Sequence, residues 1–284
     1  SLEAAAWGGQ WQRPPPMPEN WYLLAPSTRL RPGKVLAASV GGTEIVLMRS
    51  PTGTLTAYAA HCAHMGCHLR HASVEPQGLR CALHRRLIGG DGAFQDAAGD
   101  PHRLTQPTYP VIEQYGAIFV WLGQGPPPDL PLPRLAPGES FVARPVGVFA
   151  TKTDWVSLLS NGFDMEHLAI VHRRRLIETA EVTRPTSDSF RLSYRSRVIG
   201  TRLTDRIVKR LSGNEVHASM TSWRGSMTFV ESTLGRRRSF FILSMCPAPD
   251  GRTEVRSVVG IIQRRRSGLD QLWLRVTAAM FLSF

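Results

Sequence analysis

The chain has 284 residues, of which 42% are hydrophobic, and it carries a formal net charge of +12 at pH 7. That length is sufficient for two domains of ordinary size, and the composition is that of a globular protein rather than a disordered one. Almost all of the positive charge comes from arginine, because lysine occurs only at positions 34, 152 and 209. A basic surface suits an acidic partner, and the absence of a helix-turn-helix, zinc-finger or aromatic-basic pattern favours an acidic protein over a nucleic acid.

Cysteine usage and the apolar segments point to one cellular environment. Four cysteines in 284 residues do not make the dense disulfide framework of a small secreted protein. The first ten residues, SLEAAAWGGQ, have neither the charged start nor the apolar centre of a secretion signal. The apolar stretch 272–284 contains Arg275 and is shorter than the ~20 residues that a membrane-spanning helix needs. We therefore expect a cytoplasmic protein without a transmembrane segment.

The first part of the chain has the pattern of an all-β domain. Residues 1–18 are polar and rich in proline, which predicts an extended N-terminal arm. From Trp21 onward, short β-rich runs alternate with turn residues, as in VLAASV followed by two glycines and TEIVLMRS. The run AIFVWLG at 117–123 ends this region. We therefore predict antiparallel strands joined by hairpins over residues 19–125.

The second part of the chain mixes helical and β patterns. A stretch rich in proline and glycine, GPPPDLPLPRLAPG, predicts a linker over residues 126–140. Residues 154–172 have a helical pattern, and alternating runs over about 188–263 predict a second, antiparallel sheet. A last helix is predicted to begin near Gly268. Residues 141–284 are thus predicted to form an α+β domain, which makes the fold class of the whole chain α+β.

Two short pairs of metal-binding residues lie in the first domain, at Cys62-x-His64 and Cys81-x-x-His84. Each pair fits the tip of a loop and offers one thiolate and one imidazole. A Rieske [2Fe–2S] cluster takes two cysteines on one iron and two histidines on the other, which is the donor set that these spacings supply. The sequence therefore predicts these four residues as ligands of such a cluster.

Zinc is the alternative at this place, because the same residue types also bind zinc. Further donors that keep this alternative open lie close by in the sequence, namely His61, Cys67, His68 and His71. The β-rich context favours the cluster over zinc.

On these residues the chain resembles the Rieske proteins. The resemblance extends beyond the ligands to Gly66, to Gly92 and to the segment Tyr109-Pro110-Val111. It covers about residues 20–125 and implies an N-terminal all-β Rieske domain that binds a [2Fe–2S] cluster.

Cys67 helps to choose between branches of that family. High-potential Rieske proteins pair a cysteine at this place with a second one just before the second histidine, where this chain has Leu83. Without that partner we expect Cys67 to be a buried small side chain and the reduction potential to lie near the low end of the Rieske range. This implies a ferredoxin-like electron donor. Where the family usually has glycine and an aromatic residue, the chain has Arg85 and Arg86, and charged donors there would raise the potential or shape a docking face.

A second group of candidate ligands lies in the helical segment, as Asn161-x-x-Asp164-x-x-His167-x-x-x-x-His172. Two histidines and a carboxylate can hold Fe(II) and leave positions open for O₂. Two histidines at this spacing are, by themselves, more often unrelated. On an ideal helix, residues five positions apart point about 140° from each other, so a shared metal requires a break or bulge between His167 and His172.

A Rieske domain followed by this motif resembles the oxygenase α subunits of Rieske non-haem iron enzymes, of the ring-hydroxylating or single-component type. The resemblance implies a helix-grip-like catalytic domain in which His167 and His172 bind a mononuclear Fe(II). Asp164 would hydrogen-bond His167 and reach His84 of a neighbouring subunit in a head-to-tail ring, typically a homotrimer, and Asn161 would support it. Helix-surface solvation or capping is the alternative for Asn161 and Asp164.

The third iron ligand of that family is a carboxylate on a C-terminal helix. The last residues, AAMFLSF, resemble the stretch that normally precedes this carboxylate. We therefore expect the second domain to be C-terminally truncated and to lack the third ligand. Asp270 is the fallback, although it lies early in the predicted helix.

The resemblance implies an oxygenase with O₂ as co-substrate and electrons from NAD(P)H through a flavin reductase, a ferredoxin or both. Strands such as SFFILSMC favour a hydrophobic organic substrate. Hydroxylation, demethylation, desaturation and oxidative cyclisation all stay open. The alternatives are a Rieske electron-transfer protein with a non-catalytic second domain and a zinc-binding interaction protein.

Overall fold

The computed structural model describes residues 16–95, 104–235, 237–248, 250, 252–263 and 268–282. Most of the predicted N-terminal arm lies outside these residues. Antiparallel sheets dominate the part of the chain that is described, with a few α-helices in its second part. This confirms the predicted α+β class.

The first part of the chain contains ten strands within the described residues. In chain order they are β1 (Asn20–Pro26), β2 (Lys34–Val40), β3 (Thr43–Arg49), β4 (Leu55–Ala59), β5 (Ser73–Glu75), β6 (Gly78–Arg80), β7 (Leu87–Ile88), β8 (Thr108–Tyr109), β9 (Val111–Gln114) and β10 (Ala117–Leu122).

These strands form three antiparallel sheets, with the strand orders β1-β10-β9, β2-β3-β4-β8 and β5-β6-β7. The β2–β3 hairpin shows how the sequence sets the register. Val40 pairs with Thr43, which leaves Gly41 and Gly42 as a two-residue loop. Both glycines have positive φ, 57° and 83°, as the turn that matches the twist of such a hairpin requires. The predicted β-rich run is therefore confirmed strand by strand.

The second part of the chain contains a long antiparallel sheet and four α-helices among the described residues. In chain order the elements are β11 (Ser140–Thr151), α1 (Trp155–Phe163), α2 (Met165–Ile170), β12 (Arg174–Leu176), β13 (Glu181–Thr186), β14 (Ser189–Val198), α3 (Leu203–Ser212), β15 (Glu215–Trp223), β16 (Met227–Leu234), β17 (Arg237–Pro247), β18 (Thr253–Gln263) and α4 (Asp270–Leu282).

The strand order of this sheet is β11-β18-β17-β16-β15-β14-β12, and β13 also pairs with β14. The predicted helix after Gly268 is confirmed as α4. The sheet extends further than the predicted 188–263, because β12 and β13 belong to it and β11 joins it as an edge strand. Pro145 lies in β11 at a register shift, and proline is tolerated there because an edge strand does not need every backbone N–H for pairing. Helix α3 also interrupts the region that the sequence predicts as strands only.

A continuous hydrophobic core joins the two parts of the chain. Trp21 and Phe119, from the β1-β10-β9 sheet, lie in one buried cluster with Phe229 and Phe240 of the long sheet. The rings of Phe229 and Phe240 stack with their centroids 5.4 Å apart. On the long sheet, Leu274 of α4 and its neighbours form a separate cluster with residues of β18. No helix within the described residues is long and apolar enough to cross a membrane.

Candidate metal centres

The first predicted ligand pair lies on a loop between β4 and β5. The backbone N–H of Cys62 donates to the carbonyl oxygen of Cys67 at 2.9 Å, and the N–H of Gly66 donates to the carbonyl oxygen of Cys62 at 2.8 Å. Gly66 has φ 71°, in the left-handed region that glycine enters without a steric penalty. These two bonds fold the residues 62–67 into a compact loop.

Gln106 supports this loop through its side-chain amide, although no pattern in the sequence singled it out. Its side chain is fully buried. Its Oε1 accepts from the N–H of Ala63 at 2.8 Å, and its Nε2 donates to the carbonyl oxygens of Ala59 and His61 at 2.8 and 3.0 Å. One amide side chain thus satisfies three backbone groups around the first ligand pair.

The second predicted ligand pair lies on a loop between β6 and β7 with the same bonding pattern. The N–H of Cys81 donates to the carbonyl oxygen of Arg86 at 3.0 Å, and the N–H of Arg85 donates to the carbonyl oxygen of Cys81 at 3.1 Å. Arg85 occupies the place that Gly66 has in the first loop, and it also has a left-handed φ, 57°. The second loop therefore places an arginine in a conformation that favours glycine.

The four predicted cluster ligands come together between the two loops. The rings of His64 and His84 lie with their centroids 4.8 Å apart at an interplanar angle of 76°. Cys62 and Cys81 are buried, and their thiols contact each other. Burial raises the pKa of the Cys62 thiol, whereas the backbone N–H of His64 donates to its sulfur and opposes this rise. Two sulfurs on one side and two imidazoles on the other are the donors that a [2Fe–2S] cluster of the Rieske type takes.

Cys67 lies beside this group without a disulfide partner. All four cysteines of the chain are free thiols. The Cys67 thiol contacts that of Cys81 and accepts a hydrogen bond from the backbone N–H of Leu83, on the opposite loop. Burial raises the pKa of the Cys67 thiol, and Cys81 raises it further. Cys67 is partly rather than fully buried, as a packed neighbour of the cluster loops.

A further group of donors lies behind the first loop and bears on the zinc alternative. The ligand atoms of Glu44, His61 and His68 lie within 4.8 Å of one another. The Nδ1 atom of His68 accepts a hydrogen bond from the backbone N–H of Arg70 at 3.1 Å. A neutral imidazole that accepts at Nδ1 carries its proton on Nε2, the atom that lies 3.8 Å from Glu44. A metal bound at Nε2 of His68 would require this proton to move to Nδ1 and would break the hydrogen bond from Arg70.

The second predicted site is built where α2 ends. The N–H groups of Val171 and His172 both donate to the carbonyl oxygen of His167, at 2.9 and 3.5 Å. The second of these bonds spans five residues and widens the last turn. Arg173 follows with a left-handed φ of 53°. The helix thus ends between the two histidines, and their ring centroids lie 5.0 Å apart.

Asp164 and Asn161 lie on the exposed side of this segment. Asp164 separates α1 from α2, and its Oδ1 accepts from the backbone N–H groups of Glu166 and His167 at 2.8 and 3.2 Å. This is an N-cap of α2. The N–H of Asp164 in turn donates to the carbonyl oxygen of Asn161 at 3.3 Å. Within one chain, Asp164 therefore contacts the backbone of His167, as the capping alternative predicts, and its contact with a neighbouring subunit stays a prediction.

A cavity of about 400 Å³ lies between the long sheet and α4. Its lining is mostly apolar and includes Leu168, Val216, Val230, Phe241, Ile261 and Trp273. His172 and Asp270 both reach this cavity. Burial lowers the pKa of His172, and its electrostatic interactions with His167 and Arg174 lower it further, which favours the neutral imidazole. A neutral imidazole is the form that binds a metal.

No carboxylate joins the histidine pair in the described part of the chain, where the sequence offered only Asp270 as a fallback for the third ligand. Among those residues, no carboxylate forms a group with His167 and His172 in which the ligand atoms lie within 4.8 Å of one another. Asp270 shares the cavity with His172 but is not part of such a group. Two polar residues of the cavity wall, Arg174 and Ser196, were not predicted from the sequence. They could have been found only from the pairing of β12 with β14.

Comparisons with known proteins agree with the first site. Residues 20–110 match the Rieske [2Fe-2S] domain. The chain is 27% identical over 177 residues to cholesterol 7-desaturase nvd of Bombyx mori, an alignment that covers 58% of this chain and 37% of that protein. It is 31% identical over 154 residues to phenoxybenzoate dioxygenase subunit alpha of Ectopseudomonas oleovorans, covering 46% of this chain and 37% of that protein. The chain thus spans less than half the length of these relatives.

The fold has solved counterparts. Dicamba monooxygenase bound to 3,6 dichlorosalicylic acid superposes on this chain with a TM-score of 0.65 and 18% sequence identity. The superposition covers 93% of this chain and 82% of that structure. The chain therefore shares its overall fold with that protein.

Proposed function

Because the chain carries a Rieske [2Fe–2S] domain and is related to Rieske oxygenases, we propose that it is the oxygenase subunit of a Rieske non-haem iron enzyme. It would take electrons from a reductase or ferredoxin, use O₂ as co-substrate and oxidise a hydrophobic organic molecule. One observation carries the proposal. His172 belongs both to the paired histidines and to the wall of an apolar cavity, so a metal held there would face a bound substrate.

The residues of the chain provide all the donors for the [2Fe–2S] cluster and two of the donors for a mononuclear iron. Cys62, Cys81, His64 and His84 supply the full donor set of the cluster. His167 and His172 supply two of the donors for a mononuclear iron, and the third stays a proposal with Asp270 as the candidate in the same cavity. When bound, the cluster supplies single electrons and the iron supplies O₂ activation.

The surroundings of these donors suit that chemistry. Burial raises the pKa of the Cys62 thiol, and backbone N–H groups of His64 and Met65, which donate to its sulfur, offset part of that rise. His84 is exposed at the loop tip, where an electron can enter or leave. At the other site, the apolar wall excludes water from the side of the cavity that His172 faces.

Exposed apolar side chains beside both sites support the proposed head-to-tail oligomer and a protein electron donor. Met65 and Leu83 flank the cluster ligands and are 65% and 55% exposed. Ile170 and Val171, beside the histidine pair, are 76% and 51% exposed. Neighbouring apolar side chains of this size at a surface are typical of docking surfaces. Asp164 lies at the same exposed turn, which suits the proposed contact with a neighbouring subunit. We also propose a reducing cytoplasm as the location of the protein, which suits Cys67 and Cys246, the two cysteines that are neither cluster ligands nor in a disulfide.

The test is the metal content of the full-length gene product, expressed and purified without oxygen. We expect roughly three iron atoms per two sulfides, with the electron paramagnetic resonance signal of a reduced Rieske cluster. The double variant His167→Ala/His172→Ala should fall to roughly two iron atoms per two sulfides and keep that signal.

An electron-transfer protein is the second candidate, favoured by the lack of a carboxylate beside the two histidines in the described residues. It predicts roughly two iron atoms per two sulfides in both proteins. Zinc without sulfide would contradict both candidates.

A further inference from the structure

We propose that Arg174 and Ser196 form an anion-binding subsite in the wall of the cavity, and that the substrate is a hydrophobic carboxylic acid. This inference rests on the proposed function, because it takes the cavity as the place where the substrate binds. The binding chemistry follows from the cavity wall and can be measured without the oxidation reaction.

The two residues lie on neighbouring strands and line the same cavity. Arg174 on β12 pairs with Val198 of β14, and Leu176 pairs with Ser196. Side chains two residues apart on a strand point to the same face of the sheet. Ser196 is therefore the diagonal neighbour of Arg174, within reach of a side chain of that length.

Arg174 places a permanent positive charge in this wall. Only 7% of the residue is exposed, and a guanidinium stays protonated in a protein. The carboxylate of Asp205, which is also buried, attracts this charge, but it accepts as well from the backbone N–H of Arg202 at 3.1 Å. A guanidinium has five N–H donors in a planar fork, which matches the two oxygens of a carboxylate.

Ser196 offers an uncommitted hydroxyl beside that charge. The residue is 1% exposed, and its Oγ has no hydrogen-bond partner among the described residues. A buried hydroxyl without a partner destabilises the folded state, and a ligand oxygen in the cavity would remove that penalty. Tyr194, two residues earlier on the same strand, also lines the cavity, and its phenol interacts electrostatically with Arg174.

The charges of the whole lining favour an anion over a neutral molecule. Besides Arg174, the arginines Arg237 and Arg238 reach the cavity, against one carboxylate, Asp270. Arg238 is paired with Glu139 at 2.6 Å, and Arg237 lies 3.5 Å over the ring of Trp273. The rest of the lining is mostly apolar. A ligand with an apolar body and a single carboxylate meets both requirements, whereas a neutral hydrocarbon would leave the Ser196 hydroxyl without a hydrogen-bond partner.

The test compares two probes of the same shape, 2-naphthoate and 2-naphthamide. Their binding to the metal-loaded protein is measured without oxygen, by titration calorimetry and by quenching of tryptophan fluorescence, since Trp273 lines the cavity. We expect the acid to bind at least about tenfold more tightly than the amide. Arg174→Met should weaken binding of the acid by about tenfold to a hundredfold, the range for a lost hydrogen bond to a charged group, and change the amide little.

Two further variants make the result decisive. Arg197→Met is the matched control, because Arg197 lies on β14 next to Ser196, is exposed and pairs with Glu215 rather than reaching the cavity. It should leave both affinities unchanged. Ser196→Ala should weaken binding of the acid a few fold. This variant decides the test if circular dichroism shows that Arg174→Met does not fold.

The outcomes separate this inference from the proposed function. An acid that binds no more tightly than the amide, including no binding of either probe, would overturn the subsite. Preferential binding of the acid by a protein that never consumes O₂ would contradict the oxygenase and leave the subsite standing. Turnover of neutral substrates alone would contradict the anion-binding subsite and leave the oxygenase proposal standing.

Discussion

The left-handed backbone of Arg85 gives a prediction that can be worked out from the two cluster loops alone. Arg85 has φ 57°, and Gly66 has φ 71° at the matching place of the other loop. A residue with a side chain loses about 1–2 kcal/mol in this region, whereas glycine avoids that loss but gives up about 0.5–1 kcal/mol of extra backbone entropy on folding. Arg85→Gly should therefore stabilise the protein by about 0.5–1 kcal/mol.

The measurement is unfolding of the cluster-loaded protein in guanidinium chloride, followed by the visible absorbance of the cluster. Arg85→Ala removes the same charge but keeps a Cβ, so the difference between the glycine and alanine variants isolates the backbone effect. Gly66→Ala is the mirror experiment. A Cβ built at Gly66 meets no atom within 4 Å, so the expected destabilisation, about 1 kcal/mol, is conformational.

Backbone strain at Arg85 is refuted if Arg85→Gly is no more stable than Arg85→Ala while Gly66→Ala is neutral. That result would mean that neither loop holds a strained residue at this place. A gain in both Arg85 variants of equal size would assign the effect to the lost positive charge instead.

Three further predictions concern the groups that support the sites. Gln106→Leu should destabilise the protein by about 2–4 kcal/mol, because it leaves the buried N–H of Ala63 and two carbonyl oxygens unpaired, and the cluster absorbance should be lost at a lower denaturant concentration. Glu113→Gln should lower stability at pH 7 by under about 1 kcal/mol, because its partly exposed ion pair with Arg49 is screened. Arg49 holds the pKa of Glu113 below its ordinary 4.5, so this contribution is present above pH 4.5 and is lost as the pH falls through the lowered pKa; equal acid sensitivity of wild type and variant would contradict it. Asp164→Ala should lose about 1 kcal/mol of helix capping, whereas Asp164→Asn keeps the cap, so a loss of substrate-dependent O₂ consumption in the asparagine variant at unchanged thermal stability would assign the carboxylate to electron transfer between subunits.

The sequence predicted those parts of the fold that depend on neighbouring residues. Two glycines between alternating runs were sufficient to predict the β2–β3 hairpin, because the turn itself fixes the register. The spacing of His167 and His172 required a break in the helix, and α2 ends at Ile170 between them. Both predictions hold because the determining geometry spans only a few residues.

Features that depend on distant pairing were not predictable in this way. Gln106 lies more than 40 residues from the loop that it supports, and no local pattern connects the two. Strand β11 contains Pro145 and Gly147, which speak against a strand by propensity, and it forms because β18 offers an edge for pairing. Arg174 and Ser196 meet only because β12 pairs with β14.

The shared core between the two parts of the chain bears on how electrons would reach the second site. Domains that are joined by a small polar interface can hinge, whereas a large hydrophobic interface holds them in place. Here Trp21, Phe119 and Trp121 pack with Phe229 and Phe240 in one buried cluster. The cluster loops pack on a second hydrophobic cluster, and α1 packs on a third. The three hydrophobic clusters have no residue in common. A hinge between the two parts of one chain would have to open this aromatic core, which is an argument for the proposed transfer between neighbouring chains.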